Sequence, residues 1–342
     1  RQRTKSPPPH GGRQGQEKPT GELRKGIFMR YLKELIEGEM VQEVYLCKQV
    51  QNLKTKANKT YMSLTLQDKT STFDAKIWEL NNGIEHFEAM DYIKIDGQVT
   101  SFQGALQLNI RRVRRASEGE YDPSDYMPCT EKNTEAMLAE LNTFVQSVKQ
   151  PHLRQLLGEF FENKAFLDIF RKSSAAKSVH HAFIGGLLEH TLSVTQICDW
   201  YAQHYPMLNR DLLVTAAMFH DIGKLKELSP FPENDYTDEG NLLGHIYMGA
   251  EMIGRKIETI PGFPKTLAAE LKHCILAHHG ELEFGSPKKP ALCEALALSM
   301  ADNLDAKMET LRELMRDGSQ NTTNGWFGFQ RLLDSNIRIT EV

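Results

Sequence analysis

The chain has 342 residues, 40% hydrophobic and 25% charged, which is the composition of an ordinary globular protein and enough length for two or three domains. No apolar run approaches the roughly 18 residues that cross a bilayer, the polar N-terminus does not resemble a secretory signal, and five scattered cysteines contain no CxxC pair, so reduced thiols in a cytoplasmic protein are expected and not a disulfide or zinc framework. The net charge of −4 hides an asymmetry, with 20 Lys+Arg against 14 Asp+Glu in residues 1–118 and 21 against 31 in the remainder, which suits a first part that holds a polyanion and a second that holds cations.

Residues 1–26 contain Pro7-Pro8-Pro9, Gly11-Gly12 and several basic residues with almost nothing apolar, and are expected to form a disordered basic tail. Phe28, Tyr31, Leu32 and Leu35 recur at helical spacing and predict a short helix over 27–38. From about 40 to 115 the period changes to two. Met62, Leu64 and Leu66 alternate with Tyr61, Ser63 and Thr65, and Phe73, Ala75 and Ile77 with Asp74, Lys76 and Trp78. Val44 to Val50, Ile93 to Val99 and Leu106 to Ile110 supply three further strands, with turn residues between the runs. Five short strands, with an interruption at 79–91 that leaves room for a small helix, predict an all-β OB-fold barrel within 27–118. Ser117, Gly119, Asp122-Pro123 and Pro128 mark a linker over 119–134.

From 135 onward the pattern is helical, over 135–149, 152–171, 183–204, 209–220, 245–260, 265–279 and 291–316, with prolines such as Pro206, Pro230 and Pro261 between the segments. A C-terminal all-α bundle over 135–316 is therefore expected, followed by an extension over 317–342. There is no internal repeat.

These helices carry an unusual set of side chains: His190, His220-Asp221, His245, His278-His279 and Asp302, each in or beside an apolar segment. A lone buried histidine is ordinary. Seven ligand-type residues in one helical domain are not, because unpaired carboxylates are costly among apolar neighbours. Imidazole nitrogen and carboxylate oxygen suit Mn, Fe, Co, Ni or Zn, and one carboxylate can bridge two ions. His220-Asp221 closes an apolar helix just before Gly223, where the helix can end and both side chains can turn to one centre.

The series His190, His220-Asp221 and Asp302 resembles the H…HD…D signature of HD-domain metal-dependent phosphohydrolases. The added His245 and His278-His279 resemble members with two metals. The resemblance implies an HD-domain helical bundle. It places one ion on His190, His220, Asp221 and Asp302, and a second on Asp221, His245, His278 and His279. A metal-activated water would be the nucleophile, and Asp221 and Lys224 would be the catalytic residues, Lys224 neutralising the scissile phosphate. Manganese is the expected metal, with Co, Fe, Ni and Mg as alternatives. His181 and Lys288 are candidates for substrate contact. The pairing of an OB-like domain with an HD domain, together with the phrases Leu64-Thr65-Leu66-Gln67-Asp68, Glu239-Gly240-Asn241-Leu242-Leu243-Gly244-His245 and Gly285-Ser286-Pro287-Lys288, resembles the YhaM-type 3′-to-5′ exoribonucleases over about residues 40–315.

On an OB-fold, strands two and three bind single strands by aromatic stacking and basic side chains. The outward candidates are Tyr61, Lys76 and Trp78, joined by Arg111, Arg112 and Arg114 near the linker. The expected partner is single-stranded RNA, with single-stranded DNA second, no membrane, and a homo-oligomer as a further expectation. The expected activity is 3′-to-5′ hydrolysis of phosphodiester bonds. The alternative is an HD phosphohydrolase of free nucleotides or cyclic dinucleotides whose barrel is a regulatory or oligomerisation module.

Overall fold

A computed structural model describes residues 29–318 and 325–340, apart from 56, 82, 103, 178–180 and 331–332. The tail expected over 1–26 lies outside the described residues. Where a helix was expected over 27–38, the described part holds a single 3-10 turn, Leu32–Glu34. Tertiary contacts outweigh the helical spacing there. Leu32 and Leu35 sink into the barrel core, the Leu32 N–H donates to Asp68 Oδ2 at 2.5 Å, and Tyr31 and Leu35 are extended on either side.

Five strands follow: β1 (Met40–Lys54), β2 (Thr60–Gln67), β3 (Thr72–Ile77), β4 (Tyr92–Phe102) and β5 (Ala105–Arg115). They close into a barrel in the order β1-β2-β3-β5-β4. β1 is antiparallel to both β2 and β4, and its register shifts between Cys47 and Gln49. Such a bulge lets one long strand bend and serve two neighbours. β3 meets β5 in parallel through Ala75 and Leu108. The period-two pattern has its physical cause here: Leu64, Leu66, Ala75, Ile77, Ile93, Ile95, Val99, Leu108 and Ile110 all point inward. This closed five-stranded order is the OB-fold. The segment 79–91 holds no helix among its described residues. Ile84 bridges to Val113, and Phe87 is buried with the barrel core.

The helical part comprises α1 (Thr134–Ser147), α2 (Pro151–Phe161), α3 (Lys164–Phe170), α4 (Gly186–His204), α5 (Arg210–Phe219), α6 (Lys224–Glu227), α7 (Asp238–Glu258), α8 (Lys265–Leu276) and α9 (Cys293–Gly318). The helix expected over 152–171 is two helices, because the Asn163 side chain accepts from the N–H groups of Ala165 and Phe166 and starts a new one. Asn133, Asn209 and Thr237 cap α1, α5 and α7 in the same way. α7 begins at Asp238, before the expected 245, and breaks inside at Gly244, where φ is 71° and ψ 153°. That left-handed φ favours glycine. His245 therefore starts a fresh helical run.

Leu187, Leu188, Leu213, Ala217, Phe219, Leu271, Ile275, Leu298 and Ala301 anchor one apolar core between these helices. The linker is structured. Tyr126 and Met127 pack with Val44 and Leu46 of the barrel, and Ile184 and Phe231 of the helical part close over them. Gln67 Nε2 donates to the Tyr126 carbonyl at 3.2 Å, and Thr130 N–H to that of Ile184 at 2.9 Å. In the C-terminal extension β6 (Trp326–Gln330) and β7 (Ser335–Arg338) form a hairpin. No helix among the described residues is long and apolar enough to cross a membrane.

Candidate metal centre

Five elements deliver the ligand-type residues to one place. His190 comes from α4, His220 and Asp221 from the end of α5, His245 from the second run of α7, His278 and His279 from the end of α8, and Asp302 from α9. Asp221 lies at the middle. Its Oδ2 is 3.3 Å from His190 Nε2 and 3.5 Å from His220 Nε2, and Asp302 Oδ1 lies 3.2 Å from the same His190 nitrogen. Its Oδ1 faces the other way, 3.4 Å from His245 Nε2 and 3.6 Å from His278 Nε2. His279 has a ring nitrogen within 4.8 Å of those of His245 and His278. The two oxygens of one carboxylate thus address two different groups of imidazoles.

The outer nitrogens fix the tautomers. His190 Nδ1 lies 2.7 Å from Asp305 Oδ2, and His245 Nδ1 lies 3.0 Å from Glu227 Oε1. His220, His278 and His279 place Nδ1 at 2.7 Å from the carbonyl oxygens of Ala217, Ile275 and Phe284. A backbone carbonyl or an ionised carboxylate only accepts, so each Nδ1–H donates outward and each Nε2 is turned toward the centre. Among the described residues, three buried atoms there have no hydrogen-bond partner: Asp221 Oδ1, His245 Nε2 and His278 Nε2. Three convergent buried acceptors without a donor fit a cation between them.

The electrostatics agree. Burial pushes the imidazoles of His220 and His279 down to about 4, which keeps them neutral and available as ligands. Burial also acts against charge on His190, but Asp221, Asp302 and Asp305 outweigh it and raise its pKa well above the ordinary value. Burial likewise opposes ionisation of Asp302 and Asp305, and their hydrogen bonds, with His190 for Asp302 and with His181 and His190 for Asp305, hold both below the usual carboxylate range. The pocket around His190 carries an excess of negative charge that a divalent ion would balance. Lys224, beside it, reaches Asp221 Oδ2 at 2.7 Å and stays charged despite burial because of that contact.

All seven expected ligand residues and Lys224 therefore converge. His181 is 1% exposed, and its Nε2 lies 3.1 Å from Asp305 Oδ2, behind His190. Lys288 is exposed on a loop whose Ser286 hydroxyl meets both the Leu276 and the Lys288 carbonyl oxygens, which ties that loop to the helix end bearing His278. Two partners escaped the sequence reading, Asp305 and Glu227. Each follows a recognised residue by three positions, Asp302 and Lys224, and helical spacing puts such pairs on one face.

On the barrel, Tyr61 and Trp78 stack with ring centroids 4.7 Å apart and planes 24° apart. Trp78 remains 37% exposed. Lys76 Nζ lies 2.8 Å from Asp74 Oδ1 and 2.7 Å from Ser63 Oγ. Arg114 is held by both oxygens of Glu120, and Arg111 donates to Gln98 Oε1 at 3.2 Å. Arg112 meets no carboxylate among the described residues. With Arg111 and Lys94 it lines an open groove over β4 and β5.

The HD domain family matches residues 187–307. The chain is 34% identical over 276 residues to the 3′-5′ exoribonuclease YhaM of Geobacillus sp. (strain WCH70), covering 80% of this chain and 84% of that protein. It is 33% identical over 288 residues to the 3′-5′ exoribonuclease YhaM of Bacillus velezensis, covering 84% and 89%. With an OB barrel and an HD helical bundle in one chain and identity along nearly the whole of its relatives, the protein belongs to the YhaM family of 3′-5′ exoribonucleases.

Proposed function

We propose that this chain removes nucleotides by hydrolysis from the 3′ end of single-stranded RNA, and of single-stranded DNA as a second substrate, and that its His/Asp centre would hold two divalent cations that would activate a water. The observation that carries the reading is the division of Asp221, one oxygen toward His190 and His220 and the other toward His245 and His278. His190, His220, Asp221 and Asp302 would hold one cation, and Asp221, His245, His278 and His279 the other. Bound there, the pair supplies a lowered water pKa and charge stabilisation for the phosphate. The chain supplies the rest. The Nδ1 anchors keep five imidazoles aimed at the centre. The Lys224 ammonium, buried beside Asp221, is placed to meet a phosphate oxygen as negative charge grows on it. Imidazole ligands favour transition metals such as Mn²⁺, Fe²⁺, Co²⁺ or Ni²⁺ over Mg²⁺.

The barrel would hold the strand. The stacked Tyr61 and Trp78 offer a π-face that every base can use, so binding tolerates sequence. Incubation of the purified protein with 5′-labelled single-stranded RNA and Mn²⁺ tests the reading. A ladder of products shortened from the 3′ end is expected, with free nucleotides and cyclic dinucleotides left intact. Intact RNA beside hydrolysed nucleotides would overturn it in favour of a small-molecule phosphohydrolase.

A further inference from the structure

The two halves of the centre differ in charge. The half around His190 and His220 has Asp302 as its own carboxylate and Asp305 behind it. The half around His245, His278 and His279 shares Asp221 and, among the described residues, has no carboxylate of its own in the first layer. Among the described residues, Glu227 is the one other carboxylate within 4 Å of these three rings, and it touches His245 alone.

Glu227 makes two contacts with that residue. Its Oε1 accepts from the His245 backbone N–H at 2.9 Å and lies 3.0 Å from Nδ1. The first contact exists because Gly244 breaks α7, which leaves the His245 N–H without a helical partner. The Gly223 backbone then presses on the same turn: a Cβ there would lie 2.0 Å from the His245 carbonyl oxygen. So α6 and the second run of α7 are fitted together main chain to main chain. Glu227 fixes where the run begins and which way its first ring points. Glu227 is 8% exposed, and as an ionised carboxylate it can only accept, which leaves His245 Nε2 bare toward Asp221.

We infer that Glu227 is the positioning residue of the second cation site, and that this site is the weaker of the two and depends on Glu227 for its occupancy. The inference rests on the two-cation reading. Neutral ligands with one shared carboxylate hold a divalent ion less firmly than a pair of carboxylates does. A second-layer partner that fixes a ligand's tautomer and direction changes metal affinity by roughly 10–100-fold.

Calorimetric titration of the metal-free full chain with Mn²⁺ tests this without recourse to activity. The wild type should show two classes of site. Glu227→Ala should weaken the second class about 10–100-fold and leave the first within about twofold. Glu227→Gln retains an acceptor for the backbone N–H and the ring, and should recover part of that loss. A thermal melt on each variant separates loss of fold from loss of a ligand, and Glu227→Gln carries the test if the alanine variant does not fold. A second class unchanged in the folded variants, or both classes falling together, overturns the role of Glu227. A single class in the wild type overturns the two-cation reading itself, and this inference with it.

Discussion

The barrel and the helical bundle handle charge in opposite ways. In the bundle, Asp221, His220 and His278 are 2% exposed or less, and each oxygen and nitrogen there faces a partner or the centre itself. On the barrel the basic side chains lie at the surface, and several are already engaged: Lys76 with Asp74, Arg114 with Glu120, and Arg115 with Asp91. A buried polar group has no water to fall back on, so its loss is felt in full, whereas exposed charges are screened and replaceable. The bundle should therefore fail abruptly under single substitutions, and the barrel by degrees.

The largest effect is expected at Asp221. Asp221→Asn removes the charge shared by both groups of imidazoles and should lower turnover of labelled RNA by about a thousandfold or more, since several kcal/mol of charge stabilisation go with it. Circular dichroism should show the fold retained. More than a tenth of wild-type turnover in metal-loaded protein would remove Asp221 from the middle of the reaction. Next comes His245→Ala, which should take bound metal from about two to about one per chain and cost most of the activity. Elemental analysis decides it: a stoichiometry near one in the wild type, unchanged by the substitution and with activity kept, would leave a mononuclear centre.

The barrel sets the smaller effects. Tyr61→Ala with Trp78→Ala should weaken binding of single-stranded RNA tenfold or more, because stacking contributes roughly 1–3 kcal/mol per base, while cleavage of a di- or trinucleotide changes little. Equal affinity in a salt-matched assay would assign the pair to packing. Smallest of all, Arg112→Ala should reduce the slope of log affinity against log salt by about 0.7, the single-strand value for one phosphate contact. Arg114→Ala should leave the slope nearly unchanged, since Glu120 already neutralises that side chain. The reverse ranking would show that Arg114 leaves Glu120 on binding.

The same contrast governs what could be read from the residues alone. His190 inside Leu187–Leu192 and Asp302 just after Ala295–Ala301 stand out because a helix core has no ordinary use for them, and all seven expected ligands converge. Asp305 and Glu227 went unread because each, taken alone, is one more acidic residue on a helix of mixed surface. Only the folded chain shows that each meets a ring nitrogen. In the barrel, alternation told inside from outside correctly for Leu64, Leu66, Ala75 and Ile77. It had no means of telling which outward cations would be neutralised by neighbours across the sheet. Helix boundaries slipped where one residue decides the matter, as at Asn163 and Gly244.

Three of the five central rings are aimed by main-chain carbonyls, those of Ala217, Ile275 and Phe284, and the other two by the side chains of Asp305 and Glu227. No codon change elsewhere can delete a carbonyl, so His220, His278 and His279 inherit their direction from the course of the backbone. Heritable variation in metal preference within this architecture therefore has two narrow doors, one for each half of the centre. A lineage that adapts to scarcity of one metal should record that history at positions 227 and 305 before it touches the ligands themselves.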